Sequence, residues 1–135
     1  MKNVLLPTDF SENSWNAIKY AIDFHEGIDC NFFLLHVNRL SHVVLNDAPY
    51  LPTQDVIEDV YTKPAKAQLR AMLKRVTAYK SQNKKHKFYT ISDYNFFVES
   101  IREHVEENNI DLIVMGTKGA SGLKKVIIGS NTGDI

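Results

Sequence analysis

Apolar and polar positions follow two patterns, which take turns along the chain. Short, nearly continuous apolar runs, typical of strands buried on both faces of a parallel sheet, are separated by segments with apolar residues at helical spacing. The predicted strands cover residues 3–6, 30–37, 88–91 and 112–115. The resulting order, β-α-β-α-β-α-β-α without a hairpin signal, predicts an α/β fold with a doubly wound parallel sheet.

The predicted helices differ in how clearly they are bounded. The first begins after Ser11, a favourable N-cap residue, and ends at Gly27. The second, over residues 54–80, has its apolar residues on or near one face: Val56, Val60, Leu69, Met72, Leu73, Val76 and Tyr79. Pro64 interrupts this pattern, so either a short helix ends near Tyr61 and a longer one begins at Pro64, or one helix is kinked there.

Widely spaced glycines follow the last apolar run. Gly116, Gly119 and Gly129 have the spacing G-x2-G-x9-G, Ser130 follows directly, and residues from Val126 onward are predicted to be helical. Glycine permits close approach, and free amides at a helix N-terminus favour negative charge, so this segment is a candidate phosphate cradle. The alternative is that these glycines serve only a turn and helix packing. The segment lacks the Walker A and dinucleotide G-x-G-x-x-G spacings.

Composition excludes several classes of function. The chain has 135 residues, enough for one domain, and its 16 basic residues balance its 16 acidic ones. We therefore expect no nucleic-acid partner, and the basic run at residues 84–87 is interpreted as a solvated loop. No apolar stretch has the length of a membrane span, so we expect a cytoplasmic protein without membrane contact. The histidines lack metal-ligand spacing, and no metal site is predicted.

Individual polar residues have more than one interpretation. Asp9 lies between the first strand and the first helix, where it is either a turn or capping carboxylate or an acceptor for a ligand hydroxyl or amine. His36 is expected to satisfy a local hydrogen bond. Trp15 and the lone Cys30 are expected to be core residues.

Three segments carry a resemblance to a known family. VLLPTDFS opens the chain, LLHV ends the second predicted strand, and IVMGTKGASGLKKVIIGSNT contains the glycine spacing followed by serine. In this order and at these intervals they resemble the universal stress protein family over nearly the whole chain. The resemblance implies a sheet of strand order 3-2-1-4-5, with ATP or another adenine nucleotide, AMP or ADP, bound across the first and fourth strands and Mg²⁺ brought by the nucleotide.

The resemblance also implies a set of binding residues. Pro7, Thr8 and Asp9 would line the adenosine pocket, and the backbone of Val37 would contact the adenine edge. The residues implied for the ribose and the phosphates follow the fourth strand: Met115, Gly116, Gly119, Gly129, Ser130 and Asn131.

The sequence departs from the family pattern in two places. Ala120 stands where many members carry a basic residue, and the chain ends at Ile135, before the fifth strand that the family would supply. We therefore expect residues 1–135 to form a universal stress protein-like domain truncated before its last strand, with the order 3-2-1-4. An unpaired edge beside the fourth strand needs cover, which a homodimer or a second tandem domain would provide.

The preferred interpretation is a stress-response regulator whose nucleotide occupancy changes its contacts with partners. We do not expect an efficient enzyme, because no general base with an orienting partner is evident near the phosphate loop. A nucleotide-free interaction scaffold and a slow ATPase remain alternatives. An adenylate-forming or ATP-pyrophosphatase enzyme would need a phosphate loop after the first strand, where PTDFSENS has no glycine.

Overall fold

Strands and helices alternate over the first four strands of the computed structural model, which describes residues 2–39, 53–79, 84–118 and 124–130. The elements, in chain order, are β1 (Lys2–Pro7), α1 (Glu12–Phe24), β2 (Cys30–Arg39), α2 (Gln54–Val56), a π-helical segment (Ile57–Thr62), α3 (Lys63–Tyr79), β3 (His86–Asn95), α4 (Phe97–Glu107), β4 (Leu112–Lys118) and β5 (Lys124–Ser130). Ser11 caps α1 as predicted, since its side chain accepts a hydrogen bond from the Ser14 N–H.

The strands form one sheet of order β3-β2-β1-β4-β5. β1 pairs in parallel with β2 on one side and with β4 on the other, and β2 pairs in parallel with β3. The predicted α/β fold and the parallel order 3-2-1-4 are therefore confirmed. β2 and β3 extend beyond the apolar runs from which they were predicted, to Arg39 and Asn95.

The core has two parts because side chains of a strand alternate between the faces of the sheet. On one face, Val4 and Leu6 of β1 pack with residues of α1 and α3. On the other, Leu5 packs with Ile101 and Val105 of α4. Full burial of each such side chain contributes roughly 1.5–3 kcal/mol. The predicted core residues Trp15 and Cys30 are both buried.

The last described segment is a strand, so the helix predicted from Val126 is wrong. β5 pairs antiparallel with β4, from Lys118 with Lys124 to Leu112 with Ser130. A short apolar run such as Val126, Ile127 and Ile128 fits a strand or a buried helix equally well by periodicity, and its β-branched residues favour a strand.

The prediction that the fifth strand is absent is also wrong, because β5 lies beside β4. Its antiparallel direction differs from the strand that the resemblance implied. The main-chain groups of β4 that a partner was expected to cover are paired within the chain. A homodimer or tandem domain at this edge thus stays a prediction without a structural argument.

The helix around Pro64 is neither divided in two nor simply kinked, the two alternatives that the sequence left open. The helical run is continuous, but the Lys63 N–H donates to the carbonyl of Glu58, five residues back. This wider turn avoids the clash that a proline ring makes with the carbonyl four residues before it. It also shifts the phase of the helix, so Val56 and Val60 are 44% and 56% exposed instead of sharing the buried face of α3. Tyr79, at the other end, is exposed as well.

A fully buried imidazole lies at the end of α1. His25 Nδ1 donates to the Ala21 carbonyl (2.7 Å), which leaves Nε2 unprotonated. That Nε2 is buried without a hydrogen-bond partner among the described residues. Burial is the main cause that lowers the pKa of His25 below its ordinary value of 6.5, and the nearby Lys2 and His86 lower it further.

We expect His25 to make the fold sensitive to acid. Its folded-state pKa is lowered, so its contribution to stability is present above about pH 6.5 and is lost as the pH falls towards the folded pKa, where the unfolded chain binds the proton first. Urea denaturation at a series of pH values measures this slope. His25→Asn, whose amide can replace Nδ1, should reduce the slope, whereas Val105→Ala should lower stability without changing it. An equal slope in all three proteins would contradict the prediction.

Candidate functional site

A cleft opens where β1, β2 and β4 end at the same edge of the sheet. Its volume is about 410 Å³, including the solvent at its mouth. The carboxyl ends of parallel strands at a switch point are where α/β sheets bind ligands. The lining residues are Pro7, Thr8, Asp9, Ser14, His36, Val37, Phe97, Met115 and Gly116.

Pro7 explains why β1 and β4 separate here. The N–H groups of Lys2 and Thr8 donate to carbonyls of the β2 side, and the Asp111 N–H donates to the Asn3 carbonyl. Main-chain groups alternate sides along a strand, so the nitrogen of Pro7 faces β4 without a hydrogen to donate. The pairing of β1 with β4 spans Val4 and Leu5 and ends before Pro7.

Thr8 is held by hydrogen bonds to all of its polar groups. Its N–H donates to the Leu35 carbonyl (2.8 Å). Its hydroxyl oxygen accepts from the Phe10 N–H (3.0 Å) and lies 2.8 Å from Ser14 Oγ. Ser14 Oγ already donates to the Ser11 carbonyl (2.9 Å), so Thr8 provides the hydrogen of the bond between the hydroxyls. Hydrogen bonds within the chain therefore fix the position of Thr8 in the wall of the cleft.

Asp9 is exposed and shapes the turn that enters α1. Its Oδ1 accepts a hydrogen bond from the Ser11 N–H at 3.0 Å, and the residue lines the cleft. Partial burial would raise the pKa of Asp9, but the hydrogen bonds from the side chain and backbone of Ser11 outweigh it and hold the pKa below its ordinary value. The carboxylate is a hydrogen-bond acceptor and a weak base.

The main chain of Val37 faces the cleft. The Cys30 N–H donates to the Lys85 carbonyl of the β3 side, whereas the Leu35 carbonyl accepts from Thr8 of β1. The alternation along β2 therefore directs the N–H and C=O of Val37 towards the β1 side. Because β1 pairs with β2 only as far as Pro7 and Leu35, these groups point past its end.

Gly116 lies against the first turn of α1. A Cβ atom at this position would lie 2.5 Å from the carbonyl oxygen of Asn13 and 3.4 Å from the Ser14 nitrogen. Both neighbours are backbone atoms, which cannot rotate away. The absence of a side chain therefore lets β4 and α1 pack closely. For Gly116 this agrees with the alternative interpretation, in which the glycines serve helix packing.

The structure brings together the residues that the resemblance implied for the adenosine end of a ligand: Pro7, Thr8, Asp9, Val37, Met115 and Gly116. It does not bring Gly129 and Ser130 to the cleft, because they lie in β5 opposite Ile113 and Leu112, towards the other end of β4. Residues 126–130, where a helix was predicted to begin, lie in β5. Gly119 and Asn131 lie outside the described residues.

Sequence reasoning missed three residues of the cleft. Ser14 carries a signal that could have been used, because it is the first buried position of α1 after the Ser11 cap. Phe97 begins α4, and only the packing of that helix brings it to this edge. His36 was expected to make a local hydrogen bond, and its Nδ1 donates to the carbonyl of Thr8 (2.8 Å), which is close in space but 28 residues away in sequence.

Other chemistry has less support in the described part of the chain. No group of three or more His, Cys, Asp or Glu side chains there is arranged to hold a metal ion. Burial raises the pKa of the Cys30 thiol, which keeps it protonated. Among the same residues, no helix has the length and hydropathy needed to cross a membrane.

Comparison with known proteins assigns the chain to a family. The model of the universal stress protein family matches residues 1–135, and the chain belongs to this family. The universal stress protein MJ0531 of Methanocaldococcus jannaschii is 27% identical over 129 residues, which cover 96% of this chain and 72% of that protein.

Solved structures agree on the fold. The structure of the hypothetical protein MJ0577, from the same organism, has a TM-score of 0.64 at 21% identity and covers 90% of this chain and 78% of its own. The universal stress protein UspA from Lactobacillus plantarum has a TM-score of 0.58 at 18% identity, covering 83% and 74%. At these identities the likeness extends to the fold alone.

We expect Gly116→Ala to destabilise the protein by about 1–3 kcal/mol, because the added methyl group overpacks the contact between β4 and α1. Chemical denaturation gives the free energy of unfolding. Gly27→Asn is the control, since Gly27 has a positive φ of 84° with open space around its Cβ position and asparagine tolerates that backbone. A Gly116→Ala variant as stable as the wild type would show that the close contact does not constrain the packing.

Proposed function

We propose that this chain is a cytoplasmic, nucleotide-binding module of the stress response, which binds ATP, ADP or AMP in the cleft and changes its contacts with partners when occupied. Membership of the universal stress protein family supports the stress-response role. The observation that carries the nucleotide proposal is the cleft itself, where the residues expected at the adenosine end meet at one edge of the sheet.

Main-chain groups of β2 support recognition of a base. The N–H and C=O of Val37 form a donor and acceptor pair that points past the end of β1, and the edge of adenine offers a matching acceptor and donor. Guanine presents the opposite arrangement at its corresponding ring positions. The cleft walls next to Val37 include Phe97 and Met115, which supply apolar surface for a planar ring.

The fit of a nucleotide is supported only for its adenosine half. Asp9 Oδ2 can accept a hydrogen bond from a ribose hydroxyl or an amine. The phosphates would lie beyond Gly116, and Gly119, which the resemblance implies for them, is outside the described residues. Gly129 and Ser130, paired within β5, do not support the cradle that the sequence suggested.

We further propose that the module is not an efficient enzyme. The pKa of Asp9 is lowered and one of its oxygens is bound to Ser11, so it is a poor general base. Slow hydrolysis with Mg²⁺ carried by the nucleotide is the form of catalysis that this proposal leaves open.

A nucleotide-free scaffold is the second candidate, and the position of Gly129 and Ser130 in β5 favours it. Isothermal titration calorimetry with ATP, AMP, adenosine and GTP separates the two candidates. Saturable binding of the adenine compounds, with weaker binding of GTP, supports the nucleotide proposal. No heat up to millimolar concentrations of any of them supports the scaffold.

We expect Val37→Pro to weaken adenosine and AMP binding about tenfold, because it removes the N–H that faces the cleft. The hydrogen bonds between β2 and β3 should persist, since that N–H points away from β3. Calorimetry measures the dissociation constants and circular dichroism checks the fold. Val37→Thr, which keeps the N–H and the side-chain shape, is the matched control. Equal affinities of the two variants would argue against main-chain recognition of the base.

Asp9→Asn and Asp9→Ala test the carboxylate in different ways. Asparagine can keep the bond from Ser11 but turns the second oxygen into a donor, whereas alanine removes both. We expect both variants to weaken AMP and ATP binding in equal proportion, about tenfold, because the carboxylate contacts the adenosine half. A loss confined to ATP, measured by the same titrations, would instead place Asp9 near the terminal phosphates.

A further inference from the structure

The turn between β1 and α1 depends on a side chain from the neighbouring strand. His36, on β2, lies 2.8 Å from the Thr8 carbonyl oxygen through its Nδ1 atom. A carbonyl oxygen only accepts hydrogen bonds, so Nδ1 carries the hydrogen and Nε2 is the unprotonated nitrogen of the neutral ring. This bond anchors the last residue before Asp9.

The residue after Asp9 is held in an unfavourable backbone conformation. Phe10 has a φ of 66°, in the left-handed region that bulky residues rarely adopt. Its ring centroid lies 4.5 Å from that of His36, with the two planes tilted by 32°. His36 thus contacts the turn on both sides of Asp9, through the carbonyl before it and the ring after it.

Together these contacts fix the direction of the Asp9 carboxylate. The bond from the Ser11 N–H to Asp9 Oδ1 spans Phe10, the residue with the positive φ, so it depends on the shape of this turn. Without the donor on His36, the Thr8 carbonyl loses its partner beside the cleft, and the turn can relax towards the ordinary backbone region.

We propose that His36 is a positioning residue, which holds the turn of residues 8–11 in the shape that presents Asp9 to a ligand in the cleft. The inference rests on the proposed function for the identity of the ligand and on the Nδ1 hydrogen bond for the mechanism. It assigns the effect to the donor on Nδ1 and not to the aromatic ring.

Two variants separate the donor from the ring. In His36→Asn, the side-chain amide lies the same number of bonds from Cβ as Nδ1 and can donate to the Thr8 carbonyl, but the ring is lost. In His36→Phe, the ring next to Phe10 is kept and the donor is lost. We expect AMP affinity to fall about tenfold in His36→Phe and to stay within about threefold of the wild type in His36→Asn.

The control for general destabilisation is Val76→Ala, which truncates a fully buried residue of α3 away from the turn. Calorimetry at a temperature where all four proteins are folded should give it the affinity of the wild type. A loss of affinity in Val76→Ala as large as in His36→Phe would overturn the inference, because binding would then follow stability.

A second measurement without nucleotide keeps the inference separate from the proposed function. The Phe10 N–H bonds to Thr8 Oγ1 (3.0 Å), so its hydrogen exchange reports on the order of the turn. We expect faster exchange in His36→Phe and restored protection in His36→Asn. A wild type that binds no adenine compound would overturn the proposed function alone. Unchanged exchange and unchanged affinity in His36→Phe would overturn the role of His36.

Discussion

The missing N–H of Pro7 is the constraint on which the cleft depends. β1 is the central strand, hydrogen-bonded to β2 and β4, and a strand in this position would normally keep both neighbours close until it ends. The proline nitrogen faces β4 and cannot donate, so the pairing with β4 stops while β2 and β4 continue. The polar turn of residues 8–11 enters α1 beside this gap, and Gly116 allows α1 to approach β4 closely enough to bound it.

Much of the fold could be predicted because its signals are local. Continuous apolar runs identified the parallel strands, the Ser11 cap identified the start of α1, and alternation of element types gave the topology. Asp9 and Gly116 could be predicted because they follow apolar runs that indicate strands, whereas Pro7, Thr8 and Met115 were implied by the family resemblance. The role of Val37 could be anticipated only from the family, since its main-chain direction depends on where the neighbouring strand stops.

The features of the structure that were not predicted depend on hydrogen bonds and packing contacts, which the pattern of residues along the chain does not show. Val126, Ile127 and Ile128 have no periodicity long enough to separate helix from strand, and pairing with β4 decides the outcome. The wide turn before Pro64 moves Val56 and Val60 away from the core because helical phase is set by hydrogen bonds and not by spacing alone. The hydrogen bond between His36 and the Thr8 carbonyl joins residues that are 28 apart in sequence.

The π-helical segment has a consequence for the outer edge of the sheet. Its Tyr61 ring lies 4.9 Å from that of Tyr94, near the end of β3, and its Tyr61 carbonyl accepts from Asn38 Nδ2 at 3.4 Å. The π-helical segment therefore packs against the C-terminal end of β3, and the charged Lys85 and Lys87 lie at its N-terminal end. Charged residues and packing at the ends of an edge strand disfavour its pairing with a strand of another chain, so the wide helical turn contributes to the protection of this edge.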